Sequence, residues 1–211
     1  MLNASVFKEI RNKSAKFLKH SHHDKHHVER VYNLAVRLAQ AEGADLNIVK
    51  AAALLHDIAR AMEDEGSIDD HASEGAKIAR KILEETDFPK NRIDYVIHCI
   101  ETHRFRNSLT PKTLEAKILQ DADRLDIIGA IGIARVFARG GWSNKPIHDP
   151  SILPKAKYDG KSESSVNHIY EKLLNIKATM NTETARKMAD ERHRYVEQFL
   201  DRLLREWKAE I

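Results

Sequence analysis

The chain has 211 residues, 42% of them hydrophobic and 32% charged, with a formal net charge of +3. That length and mixture suit one globular domain and exclude a disordered tail. Eight Gly and five Pro exclude a collagen-like chain or a many-turned β-sandwich, and no apolar run approaches the ~18 residues that span a bilayer.

The opening stretch, MLNASVFKEIRNKSAKFLKH, is charged throughout and lacks the apolar core of a secretory signal. The first clear helical stripe is Val28, Val31, Leu34, Ala35 and Leu38, repeating at three and four. Residues 48–60, IVKAAALLHDIAR, are apolar almost all round, which predicts a helix buried on most sides with His56 and Asp57 near its end. Asp69-Asp70 can cap the next helix, whose stripe is Ile78, Ala79, Ile82 and Leu83. Pro89 opens another, with Ile93, Val96, Ile97 and Ile100 on one face. Further helices are predicted over 113–138, 163–179 and 182–208, the last capped by Asn181 or Thr182 and carrying Ala185, Met188, Val196, Phe199, Leu203 and Trp207 in register. No sustained period-two run argues for a strand. The long break is 140–162, with three of the five prolines, and an insert of that length is usually a functional loop or disordered. The reading is an all-α fold, one domain over 1–211 with a single long loop.

Cys99 is the only cysteine, which allows no internal disulfide and fits a reducing cytoplasm. Acids and bases alternate rather than forming one basic block, so the small positive balance hints only weakly at anionic partners. Twelve histidines are the outlier. The His-Asp dipeptide occurs at His23-Asp24, His56-Asp57 and His148-Asp149, but only His56-Asp57 lies in apolar helical sequence. A buried, unpaired carboxylate there would cost several kcal/mol or shift its pKa, so it needs a partner such as a cation.

Periodicity nominates further core-facing polar groups. His27 shares a face with Val31 and Leu34, whereas His22 and His26 read as surface. Asp123 shares a face with Ala116, Leu119, Ile127 and Ala130, whereas Asp121 lines up with Lys117 and Arg124 as a surface ion pair. His103 continues the Val96–Ile100 stripe. Imidazoles and carboxylates from several helices make a mixed N/O site suited to Mn²⁺, Fe²⁺, Ni²⁺, Co²⁺, Zn²⁺ or Mg²⁺.

The order His27…His56-Asp57…Asp123 resembles the HD-domain superfamily of metal-dependent phosphohydrolases. The blocks HHVERVYNLA, AALLHDIAR, DDHASEGAKIA, VIHCIETHRFR, EAKILQDADRLDIIGAIGIARVFARGG and NHIYEKLLNIKATMNTETA resemble those of single-domain bacterial and archaeal HD hydrolases, in the same order over nearly the whole chain. The resemblance implies an all-α bundle with His27, His56, Asp57 and Asp123 as metal ligands and Asp57 as the catalytic carboxylate. It places His71 and His103 where a second metal or a substrate phosphate is bound. The glutamate that some nucleotidase relatives carry three residues after the His-Asp pair is replaced by Arg60, which leaves the water-activating residue open.

A divalent cation lowers the pKa of water and polarises a phosphoryl oxygen, and phosphoryl transfer also needs positive side chains. Lys25, Arg60, Arg104, Arg106 and Arg124 neighbour the nominated ligands in sequence, with Arg60, Arg104 and Arg106 favoured for substrate phosphate, and Lys155 and Lys157 sit in a loop that could close as a lid. The expected substrate is a small phosphorylated molecule, a nucleotide in the first instance, cleaved to release phosphate or pyrophosphate. A metal-containing nucleotide-binding or regulatory module without turnover is the alternative. Nucleic-acid binding ranks last, for want of a basic face or an aromatic platform, and no membrane partner is expected. A homodimer stays open.

Overall fold

The structure, a computed structural model, describes residues 2–17, 25–104 and 109–211. It divides into two compact units, Met1–Asp123 and Arg124–Ile211. Among the described residues all regular structure is helical, as the periodicity predicts. No helix among them is long and apolar enough to cross a membrane.

The first unit contains α1 (Ala4–Ala15), α2 (Lys25–Glu42), α3 (Leu46–Leu55), α4 (Arg60–Asp64), α5 (His71–Glu84), α6 (Lys90–Thr102) and most of α7 (Leu114–Asp126). Its centre is α3, which packs against α1, α2 and α6, while α5 packs along α6. Ile48, Val49, Ala51, Ala52, Ala53, Leu54 and Leu55 are all buried, so α3 is covered on most sides. Asp45 starts it, its carboxylate accepting hydrogen bonds from the Asn47 and Ile48 N–H groups. α1 is not apparent in the sequence, because its buried stripe is one residue per turn (Val6, Ile10, Ser14) among charges.

α3 stops sooner than its pattern predicts. Rather than running on to Arg60, it ends at Leu55, and His56 caps it. The Ile58 N–H then bonds the Leu55 carbonyl and the Arg60 N–H the Asp57 carbonyl, a tighter ladder than the α-helical one. His56 and Asp57 therefore sit in an exit turn. α5 starts as predicted, with Asp70 accepting from the Ala72 N–H, so that His71 is its first residue.

The second unit comprises α8 (Gly129–Trp142), α9 (Ser165–His168), a π-turn over Ile169–Leu173, α10 (Leu174–Ile176), a 3₁₀ turn over Lys177–Thr179, and α11 (Glu183–Trp207). Thr182 is the N-cap of α11, its side chain accepting from the Ala185 N–H. The helix predicted over 113–138 is broken after Asp126, and Gly129 takes φ +76° at the break. A side chain at Gly129 would also meet Arg192 Cγ at 3.1 Å. Gly132 is needed for space, because a Cβ there would lie 2.3 Å from the Ile127 carbonyl oxygen. Gly132→Ala should therefore force a backbone shift costing about 1–3 kcal/mol. Thermal unfolding checks this, and an unchanged Tm would contradict it.

The long loop is shorter and better anchored than the sequence predicts, since α8 takes in Gly140 to Trp142. The Ser165 and Val166 N–H groups bond the Pro146 and Ile147 carbonyls at 3.1 and 2.9 Å. Glu171 accepts from the Lys155 N–H at 2.9 Å, and Lys145 Nζ donates to the Ser162 carbonyl at 2.7 Å. Its own unit thus pins the loop at both ends and in the middle.

Candidate metal centre

Five elements of the first unit bring histidines and carboxylates together. His27 lies in the first turn of α2, His56 caps α3, Asp57 follows in the exit turn, His71 opens α5, and His103 caps α6. All five are buried, His27 and His56 completely. Asp123, near the end of α7, has a side chain 20% exposed. The burial of His27, His56, Asp57 and His103 follows the apolar periodicity of their segments. His71 could be placed only by resemblance, since it precedes the apolar stripe of its helix.

Asp57 stands between two pairs of imidazoles. Its Oδ2 lies 3.4 Å from His27 Nε2 and 3.6 Å from His56 Nε2. Its Oδ1 lies 3.3 Å from His71 Nε2 and 3.5 Å from His103 Nε2. Within each pair the nitrogens face one another, His27 to His56 at 3.4 Å and His71 to His103 at 3.3 Å. Asp123 Oδ1 is 3.5 Å from His27 Nε2.

Backbone geometry sets two of the rings. At the C-cap of a helix a side chain can fold back on the free carbonyls of the last turn. His56 Nδ1 bonds the Ala53 carbonyl at 2.9 Å, and His103 Nδ1 bonds that of Ile100 at 2.6 Å. Each Nδ1 carries the proton, which leaves Nε2 to face Asp57. Burial presses the His56 pKa down to about 4 against the attraction of Asp57, so this imidazole is neutral at pH 7. His103 goes the other way, because the hydrogen bond and charge of Asp57 outweigh its burial. Asp123 is held below the ordinary carboxylate value by His27 and His56, despite its desolvation.

Such a set fits a divalent cation. Imidazole nitrogens that face one another with their lone pairs beside a carboxylate repel unless a positive charge lies among them. His27, His56 and Asp57 form one group able to chelate an ion, and Asp57, His71 and His103 a second, with Asp57 common to both. The donors are nitrogen and oxygen without sulfur, suited to first-row divalent ions or Mg²⁺.

The remaining nominated residues divide. Asp121 is not the surface group its neighbours suggested: it is fully buried, while Asp123 faces His27. Lys117 and Arg124, its neighbours on the same helix, carry no information about the packing around α7. Arg60 lies beside the cluster, Nη1 3.5 Å from His71 Nδ1 and Nη2 donating to Asp64 at 2.8 Å, while its Nε is buried without a hydrogen-bond partner. Arg104, expected to reach substrate because it follows His103 directly, is paired by residues distant in sequence, Glu63 at 2.7 Å and Asp70 at 2.8 Å. Arg124 is buried and donates to the Thr179 carbonyl. Lys155 and Lys157 belong to the second unit, where Lys155 pairs with Asp159 at 2.9 Å. Arg106, His22 and His23 lie outside the described residues, as does the side chain of Lys25.

Glu63 is the residue sequence reasoning missed. Its Oε2 accepts from both the ring Nδ1 of His71 (2.6 Å) and the His71 backbone N–H (2.9 Å). Although burial opposes the charged form, these bonds hold its pKa below the ordinary value. In sequence it is one acid among several in RAMEDEGSIDD, and nothing there distinguishes it.

The stretch that carries this cluster, residues 25–128, is matched by the family model for the HD domain. Protein YpgQ of Bacillus subtilis is 37% identical over 191 residues, 87% of this chain and 83% of its own. The chain belongs to the HD-domain superfamily. A crystal structure of an HD-superfamily hydrolase from Bacillus thuringiensis matches 96% of this chain and 99% of its own at 39% identity, with a TM-score of 0.75. A crystal structure of B. subtilis YpgQ in complex with ADP matches 95% of this chain and 97% of its own, at 32% identity and a TM-score of 0.74. The HD-domain match covers α2 to α7 and so contains every residue of the cluster.

Proposed function

We propose that this HD-domain protein is a metal-dependent phosphohydrolase that removes phosphate or pyrophosphate from nucleotides. The observation that carries this reading is Asp57, buried with one carboxylate oxygen facing His27 and His56 and the other facing His71 and His103. His27, His56, Asp57 and Asp123 would hold one divalent cation, and Asp57, His71 and His103 a second. A divalent cation supplies Lewis acidity toward a phosphoryl oxygen and acidifies water at neutral pH. The chain's own part is to orient the donors, keep their lone pairs free, and bring positive charge to the phosphates. Arg60 suits the last task, its guanidinium lying beside the cluster with Nη1 3.5 Å from His71 Nδ1. The nucleotide class is supported by the likeness to YpgQ, whose crystal structure includes ADP. The buried, single Cys99 agrees with a reducing, cytoplasmic setting.

The deciding experiment measures phosphate and pyrophosphate release from a panel of nucleoside mono-, di- and triphosphates with Mn²⁺, Co²⁺ or Mg²⁺, and with chelator. Release that needs metal and stops with chelator is expected. Nucleotide binding without release would favour the regulatory-module reading. Within the active enzyme, Arg60→Ala should lower kcat/KM at least tenfold, ~1.4 kcal/mol of transition-state stabilisation. Its metal content should be unchanged, because a guanidinium cannot be a ligand. Unaltered kinetics would assign phosphate recognition to other side chains.

A further inference from the structure

The four imidazoles of the cluster are not supported alike. His56 and His103 end helices, and each bonds a carbonyl three residues back. His71 begins a helix, where the backbone presents N–H groups and has no carbonyl to offer. Its Nδ1–H needs an acceptor from another element, and Glu63 of α4 supplies one at 2.6 Å. The same oxygen takes the His71 backbone N–H at 2.9 Å, so ring and helix start are fixed together. The other oxygen of Glu63 accepts from Arg104 Nη2 at 2.7 Å, and Arg104 Nη1 donates to Asp70 at 2.8 Å. Asp70 is the N-cap of α5, immediately before His71. The chain of contacts closes on itself, from Asp70 through Arg104 and Glu63 to His71.

We propose that Glu63 is a positioning residue for the second cation: it fixes the tautomer and direction of the His71 ring, and Arg104 holds it in place. The proposal rests on the reading that Asp57, His71 and His103 bind a cation. With the proton of Nδ1 committed to Glu63, the lone pair of Nε2 is directed at Asp57 Oδ1 and His103, 3.3 Å from each. A carboxylate behind a ligating imidazole is worth a factor of about 10–100 in metal affinity. The first cation would not depend on it, because its group of donors, His27, His56 and Asp57, does not include His71, the ring that Glu63 holds. Arg104 thereby acquires a role in the metal centre, through Glu63, in place of the direct contact with substrate that its sequence position suggests.

The test is calorimetric titration of the metal-free full-length chain with Mn²⁺, which reads stoichiometry and affinity without turnover. The wild type should take up two equivalents. Glu63→Ala should weaken the second by about 10- to 100-fold and leave the first within about threefold. Glu63→Gln, whose amide oxygen can still accept from Nδ1–H, should recover part of the loss. It also serves as the test variant if Glu63→Ala does not fold. Adding Glu63→Ala to His71→Ala should change Mn²⁺ binding no further, which a general structural role would not predict. A second equivalent indifferent to both Glu63 variants overturns the proposal alone, as does an equal effect in the His71→Ala background. A wild-type protein that binds a single equivalent overturns it together with the two-cation reading.

Discussion

Asp57→Ala is expected to lose bound metal and at least a thousandfold in turnover, about 4 kcal/mol of transition-state stabilisation. Asp57 is the member common to both groups of donors, and its side chain is 3% exposed, so no solvent could replace it cheaply. Without it, His27 and His56 still face each other at 3.4 Å and His71 and His103 at 3.3 Å, but the second pair keeps no carboxylate of its group and the first keeps only Asp123. The loss should also be visible without substrate. A cation that binds only the folded state raises stability by RT ln(1 + [L]/Kd), about 2.7 kcal/mol at a hundred times Kd. Mn²⁺ should thus raise the melting temperature of the wild type and leave that of Asp57→Ala unmoved. Elemental analysis supplies the independent check. Stoichiometric, tightly held metal in Asp57→Ala would show that the site lies elsewhere.

What could be read in the sequence, and what could not, follows from the range of each signal. The fold class was legible because most helices carry a broad apolar stripe, as in Val28 to Leu38 or Ile93 to Ile100, and of those two stripes the structure buries every member but the half-buried Leu34. α1 escaped notice because a stripe of one residue per turn is lost among Lys and Glu. The breaks after Leu55 and Asp126 escaped because the apolar pattern runs straight through both. At the second, Gly129 was the only local sign, and a glycine within a helical pattern is often tolerated. The cluster was legible where polar residues interrupt an apolar face, which is the case for His27, His56, Asp57, Asp123 and His103. Glu63 and the pairing of Arg104 were not, because their partners come from α5, from the turn before it and from the end of α6. No periodicity within one helix reports on that.

Asp123→Asn and Asp121→Asn should separate cleanly, and the pair tests the register of α7. Residues two apart on a helix point about 200° away from each other, so one helix cannot aim both at the same group. Asp123 is the one that faces the cluster, 3.5 Å from His27 Nε2, and His27 and His56 hold its carboxyl ionised. Its carboxylate charge matters to a cation, and an amide of the same shape does not supply it. Asp123→Asn is expected to weaken Mn²⁺ binding at least a hundredfold, about 2.7 kcal/mol, with little change in the stability of the metal-free protein. Asp121, about 160–200° around the helix from Asp123, is fully buried and takes part in an interaction of its own. Replacing a buried, partnered carboxylate costs about 1–3 kcal/mol, so Asp121→Asn should lower the melting temperature of the metal-free protein. Its Mn²⁺ affinity should stay within a few-fold of wild type. Calorimetry and thermal unfolding on the same two variants read both quantities. If Asp121→Asn loses the metal and Asp123→Asn keeps it, α7 is turned by half a revolution from the orientation described, and the ligand set must be redrawn around Asp121.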